Sequence, residues 1–253
     1  MGNTVVIDCF PEKVAAYRKG YALVAIDVVR ATTTAITALA AGRRCFPVPT
    51  VDAALQLADR LQNALLAGEQ CGVMPSGFHL NNSPAQLAAR TDIERPLILL
   101  SSSGTRLCHE AKFCEASFVA SLRNYVYTAR HLALHFPAIA VIGAGSHDEF
   151  REEDEMCCAW LAECLMDLGY EAADRNSFDV VMRWSNKPVD AWIGNKSASY
   201  LRNSGQLEDL EFILEHVADL NVACTLANEE VLIHESSLNH AAPERDRKGN
   251  CLA

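Results

Sequence analysis

The side chains best suited to chemistry in this chain fall into four groups. The first reads Asp27-Val28-Val29-Arg30-Ala31-Thr32-Thr33-Thr34, at the end of the apolar run 22–29. A carboxylate inside such a run is costly unless it is paired or holds a cation. Two readings stay open: a structural Asp27–Arg30 pair with a threonine helix cap, or a metal ligand or nucleophile at Asp27 beside an arginine that clamps an anion. The second group, Ser101-Ser102-Ser103-Gly104-Thr105-Arg106, follows the apolar run 97–100. Small hydroxyl residues and a glycine let several backbone N–H groups face one anion, and a helix N-terminus adds about half a positive charge. A simple cap needs one hydroxyl, so four of them with Arg106 favour binding of phosphate or sulfonate.

The third group runs from Asp148 to Glu155 and holds six acids and Arg151. Such a run is ordinarily a solvated helix start, but the helical phase separates its members. Steps of three, four and seven residues back from Cys157, Cys158 and Leu161 all reach Asp154, so Asp154 should face the core. Glu153 then lies at the stripe's edge, and Glu152 and Glu155 share the outer face with Glu163. An inward carboxylate suits a hard cation, and oxygen donors without paired His or Cys favour Mg²⁺ over zinc. The fourth group is Gly77-Phe78-His79-Leu80-Asn81-Asn82-Ser83-Pro84. Ser83 as cap with Pro84 in the first turn explains a helix start but not the paired asparagines.

The elements that must position these groups read as alternating strands and helices. Short apolar runs at 4–7, 22–29, 97–100, 117–121 and 138–142 suit strands buried on both faces. Helical stretches are expected at 32–42, 105–114, 123–135 and 151–168, with a further helix through Val51, Ala54, Leu55, Ala58, Leu61 and Leu65. Residues 172–220 read mainly as helices, 221–234 as a hairpin, and 235–253 as a polar tail. This pattern predicts a three-layer α/β/α fold with a mostly parallel sheet and a helix-rich C-terminal part. A single domain over 1–234 is expected, with a weak subdivision near 170 the only candidate boundary. Ligands in such sheets bind beyond the carboxyl ends of the strands, where all four groups fall or end.

Bulk properties narrow the function. The 253 residues are 50% apolar and 21% charged, a globular composition. A net charge of −10 and no basic run argue against nucleic acid. An anionic substrate would therefore need local cations, helix N-termini or a metal. No apolar stretch of about 18 residues exists, so no membrane span is expected. Asp8 interrupts the first apolar run, against a secretory leader. Without a C-x-x-C pair, the ten cysteines read as reduced core thiols of a cytoplasmic protein.

Several motifs together resemble the 2-phosphosulfolactate phosphatase, or ComB-like, family. They are AIDVVRATTTAITALAAG at 25–42, GE at 68–69, GFHLNNSPAQL at 77–87, SSSGTRL at 101–107, ASLRN at 120–124 and the pair Glu153-Asp154, with a weaker echo through Glu208-Asp209. The sequence departs from the family pattern at Ser103, at Asn81-Asn82 and at Cys157-Cys158-Ala159. The resemblance implies a Mg²⁺-dependent, often dimeric α/β phosphatase that releases phosphate from 2-phosphosulfolactate on the way to coenzyme M. It places Asp27, Arg30, Thr33, Asn82, Ser83, Ser103 to Arg106, Asn124, Glu153 and Asp154 in the site, beside Thr32 and Ser102 from the same loops. In that picture Asp27, Glu153 and Asp154 hold Mg²⁺, Asp27, Arg30 and Asp154 are catalytic, and the loops bind substrate. Either water or a carboxylate attacks phosphorus.

Other chemistries fit less well. No cysteine is followed six residues later by arginine, against a cysteine phosphatase. Gly143-Ala144-Gly145 begins like a dinucleotide fingerprint, but Asp148 replaces its third glycine. His131 and His135 lack the glutamate of a zinc-hydrolase helix. A non-catalytic anion-binding protein on the same fold is the remaining alternative.

Overall fold

A computed structural model describes residues 2–146 and 149–234; the polar tail from 235, with His147 and Asp148, lies outside them. In chain order the elements are β1 (Thr4–Cys9), β2 (Ala22–Ile26), α1 (Ala31–Ala40), β3 (Cys45–Val48), α2 (Val51–Arg60), β4 (Leu65–Gly68), α3 (Pro84–Ala88), β5 (Leu97–Leu100), α4 (Gly104–Ala111) and β6 (Ala116–Ala120). There follow α5 (Tyr125–His135), β7 (Ala138–Gly143), α6 (Glu152–Asp167), β8 (Glu171–Ala172), α7 (Arg175–Trp184), α8 (Lys196–Asn203), α9 (Leu207–Glu215), β9 (Cys224–Ala227) and β10 (Glu230–Ile233). None of these helices is long and apolar enough to cross a membrane.

Among the described residues the strands form one sheet in the order β4-β5-β3-β10-β9-β6-β2-β7-β1-β8. Two parallel groups, β4-β5-β3 and β6-β2-β7-β1-β8, are joined by the β9–β10 hairpin. The pairings β3–β10, β10–β9 and β9–β6 are all antiparallel. Three successive reversals make the two parallel groups run in opposite senses. The hairpin expected at 221–234 is thus the seam of a mostly parallel sheet.

Strand alternation sorts the core into layers. Val24, Ile26, Phe118, Ile139 and Val141 pack beneath α5, α6 and α7. On the opposite face Leu23, Ala25, Val119, Ile142, Leu65, Leu97 and Leu99 pack on α1 and α4. Ile98, Leu100 and Leu66 meet α2 on the outside. This is the expected three-layer α/β/α arrangement. Helix α4 touches both β2 and β3, which are four strand steps apart, roughly 19 Å in a flat sheet. A helix is only about 10 Å across, so the sheet bends around α1 and α4 and brings the ends of β2 and β5 together. Nearly all of α1 is buried.

Two sequence expectations are corrected, and two strands are added. Leu61 and Leu65 do not extend α2: the helix ends at Arg60, and 65–68 form β4. Their helical spacing matched a strand that follows after only a few residues. The runs CFPV and EA are strands β3 and β8, the first interrupted by a proline and the second only two residues long. Glu155 is not on an outer face but buried, bonded to Arg183 and to the Trp184 indole N–H, because α7 packs over that side of α6.

Candidate active site

Asp27 directly follows β2, and its turn is held by its own neighbours. Thr32 Oγ1 accepts the Asp27 backbone N–H at 2.9 Å and donates to the Asp27 carbonyl at 2.8 Å. Thr33 donates to the Val28 carbonyl. Both threonines therefore fix the loop from within instead of facing a ligand. The Asp27 carboxylate accepts the Ala31 N–H at 3.1 Å and lines a cavity of 360 Å³, whose walls include Arg30, Asn82, Ser101, Ser102, Ser103 and Asp154. That volume is at the lower end of small-ligand sites, about 300–1,000 Å³.

The serine loop divides its donors. The Ser101 N–H goes to Thr105 Oγ1, the Thr105 N–H returns to Ser101 Oγ, and the Ser102 N–H goes to Glu69. The Ser103 and Gly104 amides have no partner among the described residues. They stand at the N-terminus of α4, where an anion is favoured by backbone donors and the helix dipole together. Gly104 is packed so tightly that a Cβ there would lie 2.1 Å from Asp27 Oδ2. Serine loop and carboxylate are thereby in direct contact.

Asp154, at the start of α6, is 3% exposed, as its helical phase requires. Its oxygens accept the Val28 N–H at 2.7 Å and the Gly145 N–H at 3.3 Å, tying α6 to the ends of β2 and β7. Glu153 is also buried, but its carboxylate turns to Asn195 Nδ2 at 2.6 Å and does not line the cavity. Among the described residues no three His, Cys, Asp or Glu side chains converge as a metal cage, so the trio Asp27, Glu153 and Asp154 is not gathered around one point. Asp27 and Asp154 alone suit Mg²⁺, which commonly takes one or two carboxylates and keeps several waters.

Other sequence candidates are placed as follows. Arg30 pairs with Asp209 at 2.6 Å and Gln206 at 2.5 Å, while still lining the cavity. Its structural partner is thus Asp209, not Asp27. Ser83 caps α3 and donates to Asp209. Asn82 accepts from Thr34 at the cavity wall. Asn124 is fully buried, accepting from the Ser121 N–H and donating to the Val222 carbonyl; it fixes the approach to the hairpin, away from the cavity. Arg106 points outward to Glu12 at 2.5 Å, on the exposed face of α4.

A model of the 2-phosphosulpholactate phosphatase family matches residues 9–227. The chain belongs to this family. Proteins named "Probable 2-phosphosulfolactate phosphatase" are 37% identical in Symbiobacterium thermophilum, over 76% of this chain and 86% of the relative. In Carboxydothermus hydrogenoformans the figures are 29%, 80% and 85%, and in Deinococcus radiodurans 31%, 74% and 80%. The 2-phosphosulpholactate phosphatase family is by its name one of phosphoric monoester hydrolases.

The electrostatics of this family member centre on its buried acids. Burial, with Glu69 and Glu153 nearby, raises Asp27 to about 7, despite the Ala31 N–H and Arg30. Burial and the charges of Asp27 and Glu153 hold Asp154 well above the usual carboxylate range. Acids so destabilised as anions hold their protons to higher pH than free carboxylates do.

Sequence reasoning gave no site role to several wall residues: Glu69, Gly145, Ser146, Arg151, Lys196, Ser197 and Tyr200. Glu69 accepts the Ser102 N–H at 2.8 Å and its hydroxyl at 3.0 Å, and also the Gly72 N–H at 2.6 Å. It follows β4, the strand hidden in the helical reading, so the strand-end rule would have found it. Gly68 before it permits the close approach of β4 to β5: a Cβ there would lie 2.2 Å from the Leu100 carbonyl oxygen.

Proposed function

We propose that this chain is a Mg²⁺-dependent phosphatase that hydrolyses the phosphate ester of a small anionic 2-hydroxy acid, with 2-phosphosulfolactate as substrate. Sulfolactate and phosphate are then its products, in a coenzyme M-type pathway. The observation that carries this reading is the contact of the buried Asp27 carboxylate with the N-terminus of α4, across one cavity from Asp154. An anion cradle and a pair of desolvated acids in contact are what phosphoryl transfer needs.

The phosphoryl group would sit on the Ser103 and Gly104 amides, with the Ser103 hydroxyl beside it. Mg²⁺ held by Asp27 and Asp154 would neutralise charge on the phosphoryl oxygens. Asp27, in contact with the N-terminus of α4, would also orient the attacking water beside the phosphoryl group. Arg30, held by Asp209, contributes a fixed positive charge to the wall. We further propose a cytoplasmic homodimer, in line with the reduced cysteines and the family resemblance.

The test is Asp27→Asn with 2-phosphosulfolactate and Mg²⁺. Phosphate release should fall by at least about 100-fold, with the circular dichroism spectrum unchanged. Near-normal turnover would remove Asp27 from the chemistry. No release by the unaltered protein from any phosphorylated hydroxy acid would favour a non-catalytic anion-binding protein.

A further inference from the structure

A second cavity, of 200 Å³, shares no wall residue with the one that holds Asp27. Buried Val48, Cys108 and Leu226 give it an apolar floor. Arg60, His109, Lys112 and Glu229 stand around its mouth. Its place follows from the topology. Helices α2 and α4 cover opposite faces of the sheet, yet both wall this cavity. That requires the strand between them to have run out, and β3 does so at Val48. Crevices beyond the carboxyl ends of strands are where open α/β sheets bind ligands.

The tip of the β9–β10 hairpin closes one side. Ala227 pairs with Glu230, so Asn228 and Glu229 alone form the turn, with φ of 51° and 66°. Turns of this kind favour glycine at the second position. Here a glutamate takes it, and its carboxylate holds Lys112 Nζ at 2.9 Å.

The charges do not cancel. Glu229 is the single acid on the wall, against Arg60 and Lys112. An ammonium has three donors, so Lys112 keeps some beyond the one given to Glu229. The Arg60 guanidinium and the His109 ring nitrogens make no hydrogen bond or ion pair among the described residues. Burial and the Lys112 charge lower the proton affinity of His109, and its neutral ring still offers an N–H. In a chain of net charge −10, a concave surplus of cations attracts an anion.

We propose that this crevice is a second anion site, in which Arg60, Lys112 and His109 hold a small oxyanion over the apolar floor. The ligand is inorganic phosphate or a compact acid with a phosphate, sulfonate or carboxylate group. A volume below the about 300 Å³ of common small-ligand sites is too small for a nucleotide. The inference does not depend on the phosphatase reading.

Arg60 itself reports occupancy. Phenylglyoxal condenses with free guanidinium groups, and peptide mass spectrometry gives the rate at Arg60 beside that at Arg175, whose side chain is 83% exposed. The full chain is treated in phosphate, sulfate or lactate, each against chloride at equal ionic strength. At least one of the three should halve the rate at Arg60 near about 1 mM, as two charge-assisted hydrogen bonds imply, and spare Arg175. Whichever does so identifies the charged group. Lys112→Met should raise the concentration needed by about 10- to 100-fold. Equal slowing at both arginines, no slowing by any of the three at about 30 mM, or an unchanged concentration in Lys112→Met would each overturn the proposal. None of these readouts uses turnover, so the phosphatase reading stands or falls separately.

Discussion

Gly104→Ala is the most searching single substitution in this site, because it adds one methyl group where serine loop and carboxylate meet. The new Cβ would fall 2.1 Å from Asp27 Oδ2, and 2.7 Å from both Asp27 Cβ and Ala31 Cβ. Ordinary contact needs about 3.4–4 Å, so α4 or the Asp27 turn must yield by more than about 1 Å. Neither is free: α1 is buried along its length, and Thr32 clasps the Asp27 turn from both sides. Backbone strain does not enter, since Gly104 is not in the left-handed region. Overpacking of this kind costs about 1–3 kcal/mol, and a displacement near 1 Å at a reacting group costs about 100-fold in rate. Urea denaturation and Mg²⁺-dependent phosphate release measure the two effects. Gly194→Ala, where a Cβ meets nothing within 4 Å, is the control and should change stability by no more than about 0.5 kcal/mol. Gly104→Ala with unaltered stability and turnover would refute the claim that close contact sets the Asp27 position.

Asp209→Ala should destabilise the protein by about 3–5 kcal/mol, as it strands the buried Arg30 guanidinium along with Ser83 Oγ and the Ala85 N–H; a loss below about 1 kcal/mol in denaturant would contradict this. The pH dependence follows from Asp27, whose proton is held to about pH 7 in the fold and only to its ordinary value of 3.8 otherwise. Between those values the folded state binds more protons than the unfolded, so stability declines as pH rises. Without divalent ions the thermal midpoint should therefore fall between pH 5 and 8, and Asp27→Asn should remove much of that fall. An identical slope in both proteins would show that Asp27 is not the group responsible. At pH 8, Mg²⁺ should raise the midpoint of the unaltered protein more than that of Asp27→Asn.

The sequence foretold those parts of the molecule in which a local period is long enough to read. Asp154 turned inward because three apolar neighbours set its phase, and the runs at 22–29, 97–100 and 138–142 announced buried strands. Glu155 broke the same helical argument, since only the packing of α7 supplies Arg183 and Trp184 as its partners. Strand β3 carries a proline, and β4 follows α2 so closely that its leucines fall in the helical period. Lys196 and Ser197 lie far along the chain in a stretch legible only as helix, and tertiary folding alone carries them to the cavity. The serines were rightly singled out as a group, yet their division into capping and open donors depends on Glu69, from another strand.

The seam in the sheet bears on how the molecule is made. Residues 224–233 leave the ribosome after every other strand among the described residues, and until they insert, the facing edges of β3 and β6 carry unpaired backbone groups. Open edges of that kind invite pairing with other chains, and contacts between distant segments close slowly. Glu69 and the serines hang from one half of the sheet, Asp27 and Asp154 from the other. A nascent chain that lacks this last ribbon would hold every residue of the cavity wall and still have its two halves unjoined.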